Sequence, residues 1–76
     1  MTAHDFVRDY SPLTKVAETL SDSYETVRRQ ATDGDLPAKR DGNGRIYVDR
    51  EFALRLSEER PKFRSLSHAI SYINHE

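Results

Sequence analysis

Apolar residues recur at helical spacing in several stretches of this chain, and polar ones fill the gaps between them. Leu13, Val16, Ala17 and Leu20 stand at i, i+3, i+4 and i+7, one stripe along a short helix. Ser11 is placed to cap that helix, and Pro12 suits its first position, where a missing N–H costs nothing. The pattern stops at Ser21-Asp22, and Ser23 offers a new cap at once. The spacing predicts a second helix from Tyr24 to Asp33, closed by Gly34 in a left-handed stop position. At about 100° per residue, Tyr24, Val27 and Ala31 fall on its inward side. Glu25 and Arg29 fall on the outward side, with Thr26 and Arg28 at the shoulders.

Strand-like runs come next. Ala38 to Arg40 and Arg45 to Val48 flank "DGNG", where glycine and asparagine suit the positive φ angles of a tight hairpin turn. Asp49 caps a third predicted helix from Arg50 to about Glu59, closed by Pro61 and carrying Phe52, Ala53 and Leu56 on its core face. Leu66, Ala69, Ile70 and Ile73 repeat the helical spacing near the end. The first residues are too short to assign, although Phe6 or Val7 can supply a small strand or a core plug. Two short helices, a tight turn between them and then a hairpin form a winged helix-turn-helix pattern. The expected fold is therefore mainly α with a small β-hairpin, a winged helix-turn-helix plus an extra C-terminal helix. Residues 1–11 are expected to form an N-terminal segment and 12–59 the winged domain. Residues 60–76 should form a helix that packs on the domain or on a partner.

With 76 residues, there is material for one small core, near the lower limit for a chain without staples. Cysteine is absent, which removes disulfides and thiolate zinc sites and suits a reducing compartment. No apolar run nears the roughly 20 residues that span a bilayer. The opening "MTAHDFVRDY" lacks the order of a signal peptide. The expected setting is the cytoplasm of a bacterial host.

Charge changes the picture only through its distribution. Residues 1–27 carry two bases and five acids (−3), residues 28–50 six and four (+2), and residues 51–76 four of each, giving a net −1. A chain this close to neutral lacks the general attraction to phosphates that drives non-specific nucleic-acid binding. Binding to DNA would need the cations focused on one face, and a lone copy would bind modestly and with strong salt dependence.

The run "TLSDSYETVRRQATDGDLPAKRDGNGRIYVDREFAL" carries Ser23 at the second cap, the pair Thr26-Val27, Arg29, and Gly34 with Leu36-Pro37 before the hairpin. In this it resembles the phage excisionases, the recombination directionality factors of the MerR-like winged helix-turn-helix superfamily. The resemblance covers roughly residues 12–54. Asp22 departs from it, standing where relatives place a small apolar residue, and Gln30 and Ala31 replace bulkier apolar ones. The resemblance implies a DNA-binding architectural protein rather than an enzyme. Such a protein binds and bends attachment-site DNA and directs a tyrosine integrase toward excision. Its implied partners are double-stranded DNA of an attachment-site arm, the phage integrase, and further copies of itself, side by side or as a dimer.

The candidate contacts follow from side-chain chemistry. Arg29 can fork onto guanine O6 and N7, Arg28 can grip phosphate or a base, and Glu25 can accept from a cytosine amine. The resemblance assigns Glu25 and Arg29 to the major groove. Ser23 and Thr26 suit phosphate oxygens at the helix N-terminus. Glu25 can equally pair with Arg28 or Arg29 along the helix, a contact of only a few tenths of a kcal/mol. On the hairpin, Lys39, Arg40, Asn43 and Arg45 can approach a minor groove, or serve as ordinary solvated guards of an exposed edge. Tyr47 reads as a ring wedged beneath the hairpin, and "RPKFR" as a solvated link. His4, His68 and His75 show no metal-ligand spacing, and no cofactor motif or nucleophile with its base is present. A small MerR-like transcriptional regulator, and a winged-helix adaptor that contacts protein through its acidic N-terminal third, stay open as alternatives.

Overall fold

The computed structural model describes residues 9–75. Strand β1 (Tyr10–Pro12) leads into helix α1 (Leu13–Leu20), three residues separate it from α2 (Tyr24–Thr32), and β2 (Ala38–Arg40) and β3 (Ile46–Asp49) form a hairpin. Helix α3 (Arg50–Glu59), a 3₁₀ turn (Arg60–Lys62) and helix α4 (Leu66–Asn74) complete the chain. The molecule is mainly helical with a small antiparallel sheet in the order β1-β3-β2, compatible with a winged-helix-like fold. No helix among the described residues is long and apolar enough to cross a membrane.

The stripe on α1 is buried as its spacing requires: Leu13, Val16, Ala17 and Leu20 all lie in the core. They meet Val27 of α2, Leu36 in the link before the hairpin, Ile46 and Val48 of β3, Leu56 of α3, and Leu66, Ala69 and Ile70 of α4 in one cluster. The C-terminal helix therefore completes the domain's own core. So small a chain depends on that contribution.

Two local expectations change. Ser11 does not cap α1; it pairs with Val48 inside β1, and Pro12 is the residue that flanks the helix. Pairing with β3 competes with capping for the same residues and prevails, and the expected segment boundary after residue 11 falls within a strand. The anticipated strand or plug from Phe6 or Val7 lies outside the described residues.

The helix ends follow capping chemistry. The Asp49 carboxylate accepts from the Phe52 amide at 3.0 Å, and Ser65 caps α4 by accepting from the His68 amide. After α2, the Asp35 amide donates to the Gln30 carbonyl and the Gly34 amide to the Ala31 carbonyl. With Gly34 at φ +86°, this is a Schellman ending, for which glycine is the low-cost choice. The same bond pattern ends α1, where Asp22 donates to Ala17 and Ser21 to Glu18. There the left-handed residue is Ser21, at φ 59°. A non-glycine residue in that region costs on the order of 1–3 kcal/mol and persists only where its surroundings hold it.

Candidate nucleic-acid interface

Helix α2 buries a single side chain, Val27 at 0% exposure. Glu25, Thr26, Arg28 and Arg29 are all exposed. The suggested pairing of Glu25 with Arg28 or Arg29 does not form, and none of the three makes a side-chain bond to another described residue. A carboxylate and two guanidiniums thus stand on one short helix without saturating one another. That leaves acceptor and donor groups available to an outside ligand.

Ser23 and Thr26 have a different primary task. The Ser23 hydroxyl accepts from the Thr26 amide at 3.2 Å, and the two hydroxyls lie 2.7 Å apart. This is an N-cap that satisfies one of the helix's first free amides. Both hydroxyls remain at the surface, but each already has one partner.

The hairpin is organised by Asp41, a residue outside the candidates that the sequence pattern singles out. Its Oδ1 accepts from the Asn43 and Arg45 amides, each at 2.9 Å, and its Oδ2 accepts from the Tyr47 hydroxyl at 3.2 Å. The Asp41 amide donates to the Arg45 carbonyl, and the Gly44 amide donates to the Asp41 carbonyl. Gly44 sits at φ +83°, as a three-residue loop closed by a left-handed residue requires. Asn43, expected to share the positive φ, does not adopt it. The Arg45 amide leads the causes that hold the Asp41 carboxyl below its ordinary pKa, supported by the Asn43 amide, the Tyr47 hydroxyl and the Arg45 charge against a smaller opposing effect of burial.

The hairpin cations separate by strand alternation. Arg40 is paired with the buried Ile46, on the face turned toward the helices. It lines a cleft of about 140 Å³ with Ala31 and Thr32 of α2 and Ala38, Lys39 and Ile46 of the hairpin. Lys39 is paired with Tyr47 on the other face, and its ammonium lies over the Tyr10 ring at 5.1 Å from the centroid. Such a contact at the surface is worth about 0.5–1 kcal/mol, enough to give Lys39 a resting place away from Arg40. Arg45, expected to begin the returning strand, precedes it at the turn and is exposed, as is Asn43. The structure thus brings Arg40 beside the end of α2, sets Arg45 and Asn43 at the tip, and turns Lys39 aside.

Three features escaped the sequence pattern. Tyr24, placed inward by the helical projection, is 46% exposed, because the first turn of α2 extends past the edge of the core. Thr32 reaches the cleft shared with Arg40, a position visible in its spacing three residues after Arg29. Arg60, read as part of a solvated link, donates through Nε and Nη2 to the two oxygens of Asp22 at 2.8 and 2.9 Å, and through Nη1 to the Phe63 carbonyl at 3.0 Å. Nothing local announces a pair 38 positions apart. No family model, curated protein or solved structure matches the chain.

Proposed function

We propose that the chain is a winged helix-turn-helix DNA-binding protein of the excisionase type. Helix α2 acts as its recognition helix and the β2–β3 hairpin as its wing. The observation that carries this reading is the exposed, unsaturated row of Glu25, Arg28 and Arg29 on α2, whose C-terminal end shares a cleft with Arg40. A carboxylate facing DNA repels phosphates and is useful only against a donor such as the cytosine amine, while a guanidinium beside it reads guanine. Arg40 and Arg45 on the hairpin add contacts to the backbone or the adjacent minor groove.

The role in recombination rests on the run from Ser23 through Leu36-Pro37 and its resemblance to excisionases. In that role several copies occupy repeated sites in an attachment-site arm and bend it, and the tyrosine integrase performs the strand chemistry. Near-neutral net charge fits a protein whose single-site affinity is low and whose occupancy rises steeply through contacts between neighbours. Footprinting and gel shifts on attachment-region DNA carrying one or several sites test this. The proposal expects affinity per site to rise with the number of sites. Equal affinity per site refutes cooperative assembly, and absence of protection refutes the excisionase role.

A second reading, the adaptor, has one observation in its favour. Leu54 is 60% exposed on a cleft of about 490 Å³ between α1 and α3, whose floor includes Pro12, Val16, Leu20 and Ala53. If that surface were the functional one, reversing the charges of Arg29 and Arg45 would leave activity intact.

A further inference from the structure

Helix α2 presents its exposed polar face outward and anchors itself inward through the buried Val27, with Ala31 half-buried against the same core. Two small apolar side chains are a slender attachment for a helix whose orientation must be held closely. Further restraint comes from beyond α3. Before α2, Asp22 receives the two-pronged contact from Arg60, with side-chain exposures of 13% and 20%. After α2, the Asn74 side-chain amide donates to the Asp35 carbonyl at 3.2 Å. Arg60 is itself fixed by its bond to the Phe63 carbonyl, and α4 is rooted in the core by Leu66, Ala69 and Ile70.

We propose that residues 60–74 form a positioning bracket for α2, in which Arg60 and Asn74 hold the segments entering and leaving the helix. Asp22 and Arg60 are positioning residues: they set the angle at which Glu25 and Arg29 are presented. The bracket also gives a role to Asp22, one of the residues that depart from the excisionase pattern. Its carboxylate fastens the turn before α2 by an ionic contact that reaches across the domain. That contact holds the residue next to Ser21, the one non-glycine residue at positive φ among those described. A forked guanidinium–carboxylate contact fixes direction as well as distance, which a lysine in its place could not do.

As an account of DNA recognition the inference rests on the reading of α2 given above, but the bracket itself can be tested without DNA. In the free protein, Arg60→Lys and Asp22→Asn are expected to raise amide hydrogen exchange in Val27–Thr32 while the amides of Leu56 and Ile70 keep their protection. Equal loss across all these amides, or no loss in α2, overturns the bracket. For the DNA arm, a duplex enriched by the wild-type chain from a randomised pool serves as the probe. Asp22→Asn removes a negative charge, so electrostatics alone would tighten binding to that duplex. The bracket instead predicts weakening on the order of tenfold, within the range typical of coupling between separate sites. Binding as tight as wild type or tighter, by a folded Asp22→Asn chain, overturns its role in recognition. If the wild-type chain enriches no duplex, the DNA-binding reading fails, and the exchange measurement still decides whether the bracket exists.

Discussion

In the hairpin loop, one carboxylate gathers two backbone amides and a phenol, and this is what positions Arg45. In the sequence Asp41 stands among Lys39, Arg40 and Arg45 with nothing local to mark it as the organiser of the loop. Its partners became clear only when the loop closed and set the Asn43 and Arg45 amides against Oδ1. A carboxyl whose folded-state pKa lies below its unfolded value stabilises the fold fully above the unfolded value. That contribution is lost as pH falls through the depressed folded value. The hairpin tip should therefore be insensitive to pH near neutrality and loosen only in strong acid. Following the Asn43 and Arg45 amides by NMR should give a midpoint below the ordinary aspartate value of about 3.9. A midpoint at or above that value would show that the two amide bonds do not hold in solution.

The elements were legible where burial and capping agree. Helix α1 lies on the stripe of Leu13, Val16, Ala17 and Leu20, and α3 begins at its Asp49 cap, because each signal is contained within a few adjacent residues. Legibility failed where partners are distant. Ser11 resembles a cap until β3 claims it as a strand partner, and Arg60 resembles solvated charge until Asp22 meets it from 38 positions away. The exposed face of α2 was readable from helical spacing, whereas the turning aside of Lys39 depended on strand register and on Tyr10. Among the caps, Ser23 bears most directly on the proposed DNA contact, since it starts the helix that carries Glu25 and Arg29. Ser23→Ala should cost about 1 kcal/mol, lowering the melting temperature by roughly 4–8 °C in a domain of this size. A melting curve that matches wild type would mean that the Ser23–Thr26 contact contributes nothing to stability.

At the scale of the whole molecule, the charge of −1 conceals a separation of tasks. Acidic residues predominate in the N-terminal third, while α2 and the hairpin hold the basic excess. The core draws on every helix, so the exposed face of α2 sits on a scaffold that includes residues 60–74 as fully as residues 12–59. This face is proposed to read base edges in duplex DNA. Selection from a randomised duplex pool, carried out in parallel with wild type, Arg29→Ala and Arg45→Ala, tests it most directly. Wild type should enrich a defined motif. Arg29→Ala should lose about 1–3 kcal/mol of discrimination at one base pair, and Arg45→Ala should keep the motif while binding more weakly and with a shallower salt dependence. No enrichment by wild type, or a motif unchanged by Arg29→Ala, would contradict the claim.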